Sequence, residues 1–216
     1  MEIIDSIYEH DRQAEEYDKH VLEWKWYGHD ILFGMCFEFV SPNQRLLDIG
    51  IGTGLSSTLF AKAGLEVYGI DGSSEMLRVC ESKGFAKEFK QFDLRELPLP
   101  YPDAFFDHVI CSGVVHFLSD LRELFREINR VVKIRGIFAF NILPQIMETE
   151  DDSHEGDFME VSIDGVSIFM HNEVYIEKLL KECGYVLLKE MRFTTRSWLE
   201  EGSDSIVKVC VVQRNR

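Results

Sequence analysis

From about residue 45 onward, short apolar runs of strand length alternate with longer stretches in which apolar residues recur every three or four positions. That alternation predicts βαβ units, a parallel sheet covered by helices. Residues 45–49 read as the first strand and run into Gly50-Ile51-Gly52-Thr53-Gly54; 55–63 read as a helix closed by Gly64. A second strand over 65–70, a helix ending at Lys83 and a weaker strand over 88–92, stopped at Asp93, complete the first half. Pro98, Pro100 and Pro102 mark a connection, after which 106–111 is strand four. Ser119 is the expected N-cap of an amphipathic helix over 120–132 with Leu121, Leu124, Phe125 and Ile128 on one face, and the turn Arg135-Gly136 is expected to lead into strand five, 137–142.

Beyond Pro144 the pattern changes. Residues 161–168 read as a hairpin about Asp164-Gly165, 172–183 as a helix, and 185–189 and 205–212 as two strands. With no crossover helix between them, those two strands should pair antiparallel at the sheet edge. Ahead of residue 41 one or two helices are expected, with Ile31, Leu32, Met35, Cys36 and Phe39 sharing a face. The expected organisation is a single domain: an N-terminal helical cap (1–40), a core (41–143), an acidic insert and hairpin lid (144–170), and a C-terminal helix with the last two strands (171–216).

Charge narrows the partners. The 216 residues carry 23 basic and 38 acidic side chains, a net charge of -15, and such a field repels a polyanion, so no nucleic-acid partner is expected. Seven acids and no Lys or Arg fall within residues 148–160, which reads either as a solvated loop or as a steering surface for a cationic acceptor. Cys36, Cys80, Cys111, Cys183 and Cys210 are scattered, with no C-x-x-C pair; they read as buried thiols in a reducing compartment, and no metal site is expected. No stretch approaches the roughly 18 apolar residues a membrane span needs, so a soluble, cytoplasmic protein is expected, monomer or homodimer.

The candidate chemistry sits at the first strand's end. Three glycines in five residues let backbone approach a ligand closely, and the following helix N-terminus presents free N–H groups. In a dinucleotide fingerprint the third glycine comes three residues after the second, where this chain has Leu55, and Asp48 stands two residues ahead of Gly50 where a pyrophosphate would be repelled. An ordinary βα turn is the bland reading of the glycines, and helix capping that of Asp71.

Asp48-Ile49-Gly50-Ile51-Gly52-Thr53-Gly54 resembles motif I of the class I S-adenosylmethionine-dependent methyltransferases, and the resemblance continues in order along the chain. Asp71, 21 residues after Gly50 and followed by Gly72, matches the family's ribose-binding acid; Asp93, flanked by Phe92 and Leu94, matches the position that meets the adenine amine. Residues 106–113, with Ser112, resemble the fourth motif, facing the methionine part of the cofactor. Residues 127–136 resemble the helix and turn before strand five, without the usual proline. The resemblance implies a Rossmann-like doubly wound α/β sheet of about seven strands, mostly parallel with an antiparallel strand near one edge and helices on both faces. It also implies S-adenosylmethionine as cofactor, S-adenosylhomocysteine as product, and cofactor contacts at Asp48, Gly50, Gly52, Gly54, Asp71, Gly72, Phe92, Asp93, Leu94 and Ser112.

The cofactor of that family carries its own activated methyl group, so the protein needs no nucleophile. A general base would help, and His116, in the loop after strand four, is the candidate; packing under the next helix is its bland alternative. Strand four ends Cys-Ser-Gly-Val rather than in the Asn/Asp-Pro-Pro-Tyr/Phe of amino-methyltransferases acting on bases or glutamine, which disfavours planar amide or base nitrogen acceptors; a small-molecule acceptor is expected. A protein side chain or a non-catalytic binding role stays open. Tyr17, Trp24, Trp26, Tyr27 and His171 are the expected substrate or lid residues, with core anchoring or capping as the alternative.

Overall fold

The structure is a computed structural model that describes residues 5–145, 156–196 and 204–215. Three helices come first, α1 (Ser6–Gln13), α2 (Tyr17–Glu23) and α3 (Gly28–Cys36), followed by β1 (Arg45–Ile49), α4 (Leu55–Lys62), β2 (Glu66–Asp71), α5 (Ser74–Ser82), β3 (Glu88–Gln91) and β4 (Phe106–Cys111). Then come α6 (Arg122–Val131), β5 (Val132–Ile142), the strands β6 (Phe158–Ile163) and β7 (Val166–His171), α7 (Glu173–Glu182), β8 (Tyr185–Arg196) and β9 (Asp204–Arg214).

Seven strands form one sheet in the order β3-β2-β1-β4-β5-β9-β8. The first five are mutually parallel, and β9 runs antiparallel to both β5 and β8. The fold is therefore the expected one, with a single reversed strand second from the edge and the last two strands paired as read. Side chains two apart share a face of a strand. Leu47, Val109, Phe138 and Phe140 accordingly meet Phe125 and Ile128 of α6 and Ile176 and Leu179 of α7. Their neighbours Leu46, Ile110 and Ala139 meet Leu32, Met35 and Cys36 of α3 and Phe60 of α4 on the other face. Helix α3 thus covers the sheet, whereas α1 and α2 line the cavities at the carboxyl ends of the parallel strands.

Three local expectations are corrected. Helix α6 begins at Arg122 with Leu121, not Ser119, in the N-cap position and no side-chain cap, and Asp120 accepts the Arg122 backbone N–H at 2.9 Å. Arg135-Gly136 is no turn between elements: it lies inside β5, where Arg135 takes φ 66° and the pairing with β4 skips from Phe106↔Val132 to His108↔Ile137, a bulge. His171 ends β7 rather than opening α7, whose N-cap is Asn172, accepting from Val174 N at 2.8 Å. The hairpin does turn at Asp164 and Gly165, with φ 51° and 89°, a type I′ geometry. Of the acidic run, only Asp157 and Glu160 fall among the described residues; Asp157 pairs with Arg122.

Candidate functional site

The switch from β1–β2 to β4 places a crevice at the carboxyl ends of these strands, where open α/β sheets hold ligands. The loop after β1 is pinned from below, since the N–H groups of Gly50 and Ile51 both donate to the Ile70 carbonyl, at 2.8 and 3.0 Å. Gly50, Gly52 and Gly54 all take positive φ (68°, 53° and 85°). Their uses differ. A Cβ on Gly50 would lie 2.2 Å from Val114 Cγ2, whereas one on Gly52 would meet nothing within 4 Å; both residues line a cavity of about 160 Å³. A Cβ on Gly54 would lie 2.5 Å from Phe85 and 2.6 Å from Cys80 Sγ, so Gly54 serves the packing of α4 on α5 and lies outside that cavity.

Asp71 organises this cavity. One carboxylate oxygen accepts from Gly52 N at 2.8 Å and the other from Ser73 N at 2.8 Å, so the side chain ties the glycine loop to the start of α5 while facing the cavity. Burial raises its pKa, opposed by those two N–H bonds. Asp71, Gly72, Phe92, Asp93, Leu94 and Ser112 line the same cavity as Gly50 and Gly52. Asp93 is chelated by Arg95, whose Nε sits 2.9 and 2.8 Å from its two oxygens; this charge holds Asp93 below the usual carboxylate range. Arg95 also reaches Asp5, the N-cap of α1, at 2.8 Å.

Asp48 is not at the mouth. It is 1% exposed within β1 and accepts a hydrogen bond from Ser57 Oγ. Burial, with Asp71 adding repulsion, pushes its pKa up to about 7. Folded Asp48 therefore keeps its proton up to about pH 7, while the unfolded chain releases it near the ordinary 3.8. The folded state binds the extra proton across that window, so its contribution to stability falls as pH rises from about 4 to about 7. Asp48→Asn, which keeps an acceptor for Ser57, is expected to flatten that part of the stability–pH curve, by roughly 4 kcal/mol across the window, measured as urea unfolding at successive pH values.

A second cavity, of about 800 Å³, adjoins the first and shares Ser6, His10, Tyr17, Gly113 and Phe117 with it. Tyr17, Trp24, Trp26 and His116 line it as expected. Burial and the nearby Asp71 and Asp18 push Tyr17 up to about 12, so it stays a neutral hydroxyl. His116 is 3% exposed, and burial, with His10 and His171 nearby, pushes it down to about 3. It is a neutral imidazole and a weak base, which speaks against the expected catalytic role. Tyr27 is 49% exposed and lines neither cavity. His171 also lies away from both, fully buried with Nε2 3.0 Å from the Leu118 carbonyl oxygen.

The residues that sequence reading missed lie on α1. Ser6, His10 and Gln13 all face the larger cavity, at the i, i+4, i+7 spacing of one helix face. The helix is held down by polar bonds: Asp11 accepts from Ser73 Oγ at 2.5 Å and from Glu75 N at 3.1 Å, and Ile7 packs where a side chain on Gly72 would stand. Helix α2 is held in turn by Asp18, bonded to Thr53 Oγ1 at 2.5 Å and Lys83 Nζ at 2.6 Å.

The donor set of the smaller cavity discriminates between ligands. Its facing charges are Asp71 and Asp93, and Arg95, the cation beside them, is already divided between Asp93 and Asp5. A pyrophosphate would meet carboxylates there. Hydroxyls and an amine would meet acceptors, with Phe92, Leu94 and Met76 as apolar walls. An adenosyl group fits.

Residues 47–140 match the sequence model of the methyltransferase domain family. The uncharacterized methyltransferase YcgJ of Bacillus subtilis is 38% identical over 102 residues, covering 44% of this chain and 39% of that protein. A malonyl-[acyl-carrier protein] O-methyltransferase of Legionella pneumophila is 28% identical over 137 residues, covering 61% and 47%. Among solved structures, a chain of the complex between the Haloferax volcanii Trm112 methyltransferase activator and a methyltransferase shares the fold with a TM-score of 0.73 at 14% identity, covering 99% of this chain and 100% of that one. This chain spans about half or less of the length of these two curated relatives.

Proposed function

Residues 47–140 match the methyltransferase domain family, and on that premise we propose that this chain is a class I S-adenosylmethionine-dependent methyltransferase that methylates a small-molecule acceptor held in the larger cavity. The observation that carries this reading is the junction of two cavities, one with an acidic, glycine-floored lining that suits an adenosyl group and the other walled by aromatic side chains. Bound S-adenosylmethionine supplies a methyl group on a sulfonium, already activated for in-line displacement.

The chain's residues bind, orient and dry the site. Asp71 accepts from the ribose hydroxyls, and Asp93 from the adenine amine, with Phe92 and Leu94 flanking the ring. Gly50 and Gly52 let the loop backbone come close, while Ser112 and Gly113 face the methionine end. Asp48 supports the loop from beneath through Ser57. Tyr17 and Phe117 close the boundary between the cavities, which excludes water and favours one approach direction. The acceptor's walls come from α1, α2 and the β6–β7 hairpin, a concave enclosure whose volume of about 800 Å³ is on the scale of drug-sized ligand sites. No described helix is long and apolar enough to cross a membrane.

Transfer of a labelled methyl group from the cofactor into a cell extract, followed by separation of macromolecules from small molecules, tests the proposal. Label is expected in the small-molecule fraction. Label confined to protein would assign the acceptor to a side chain, and no transfer alongside tight cofactor binding would leave a binding module.

A further inference from the structure

The strongest unassigned feature of the site is His10. It stands on α1 at the boundary of the two cavities and lines both. Its Nδ1 lies 2.6 Å from the carbonyl oxygen of Ser6. A carbonyl only accepts, so Nδ1 carries the proton and Nε2 is the ring nitrogen left with a lone pair. The ring is set in place by Phe117, edge-on at 5.2 Å between centroids, and by Tyr17 at 6.2 Å. The groups facing it from the surrounding elements are Glu9 on its own helix, Tyr17 on α2, Asp71 at the end of β2 and His116 after β4. Burial holds Tyr17 and His116 neutral.

We propose that His10 is the catalytic base, taking through Nε2 the proton of a hydroxyl carried by an apolar, ring-bearing small molecule. This rests on the methyltransferase reading above and adds to it the base and the acceptor class. The reaction balances at this point in the fold. An oxygen lone pair of the acceptor forms the new carbon–oxygen bond; the carbon–sulfur bond breaks with its electron pair remaining on sulfur; the hydroxyl proton passes to His10. Positive charge is conserved in the site, moving from sulfonium to imidazolium, and Asp71 lies within electrostatic reach of the ring to stabilise it.

The acceptor class follows from the walls. Tyr17, Trp24, Trp26 and Phe117 supply flat aromatic surface, Val166 and Ile168 complete an apolar side, and such walls hold a ring through offset and edge contacts. Lys25 and Arg196 line the same cavity with Glu9, Asp164 and Asp204, two basic against three acidic groups, so an anionic body gains nothing there. His116, buried and with its pKa pushed down to about 3, contributes wall rather than proton transfer.

The probe for the test is 4-nitrophenol, whose phenolate absorbs where its phenol does not. It is titrated into the intact chain in complex with S-adenosylhomocysteine, at a pH where the free probe is mostly protonated. No methyl group is present, so the readout is proton transfer alone. The bound probe is expected to show a phenolate fraction raised about tenfold over the free probe, and His10→Gln is expected to return it to the free value while calorimetry still detects cofactor-product binding. Equal phenolate signal in wild type and His10→Gln overturns the assignment, as does a signal lost only in His116→Gln. Failure of the probe to bind while S-adenosylhomocysteine binds overturns the acceptor class. Failure of S-adenosylhomocysteine itself to bind the wild type would instead overturn the underlying methyltransferase reading.

Discussion

Asp71→Ala is expected to weaken binding of S-adenosylhomocysteine by a hundredfold or more, the largest single-residue effect in the site. Two losses combine in that substitution. The ligand loses the carboxylate that would accept its ribose hydroxyls, and bonds to a charged group contribute about 1.5–3 kcal/mol, where each 1.4 kcal/mol is tenfold in affinity. The loop also loses its tie, because Asp71 receives the N–H groups of both Gly52 and Ser73. Asp71→Asn preserves one acceptor oxygen and should fall between wild type and alanine. Calorimetric titration of the three proteins checks the order, and comparable affinities in all three would contradict the role given to this residue.

Gly136→Ala is expected to cost roughly 3 kcal/mol of stability through overpacking, and in a chain of this size to lower the midpoint of thermal unfolding by roughly 6–12 °C. The added Cβ would stand 2.3 Å from the backbone carbonyl oxygen of Asp107 and 2.9 Å from that of Lys133. Neither oxygen is the end of a flexible side chain that can swing aside. The bulge brings the two backbones this close, and Lys133 Nζ bonds Asp107 Oδ1 at 2.6 Å just beside it. The position lies at the amino end of β4, opposite the cavities, so cofactor-product affinity measured well below the unfolding midpoint should stay at the wild-type level. An unchanged midpoint would show that the strands separate at little cost.

The core of the site was readable because its signals are local. A buried run followed by three glycines, then a helix, produces one geometry, and an acid at the end of β2 lands beside the loop in any parallel pairing of the two strands. The Asp164-Gly165 hairpin was equally local, since both residues tolerate positive φ. Where several elements had to meet, the reading failed in specific ways. Asp48 looks in sequence like an acid at a mouth; that it bonds Ser57 beneath the loop follows only once α4 is packed on the sheet. Gly54 carries the same residue type as Gly50 and Gly52, yet Phe85 and Cys80 from distant positions decide its use. The helix and glycine around 131–136 read as helix, turn and strand, and only the register against β4 reveals a bulge. His10 was invisible because α1 buries none of its side chains completely; its face is a polar stripe, which apolar periodicity does not detect. Tyr27 was grouped with Trp24 and Trp26 by nearness in sequence, but it comes just before α3, and α3 turns toward the sheet.

The central claim is that the cavity over the glycine loop accepts an adenosyl sulfonium cofactor and its product rather than a dinucleotide. Titration of the wild-type chain with S-adenosylhomocysteine and, separately, with NAD tests it most directly. The account predicts one S-adenosylhomocysteine bound per chain with micromolar affinity and no binding of NAD. Binding of NAD with no response to S-adenosylhomocysteine at millimolar concentration would contradict it.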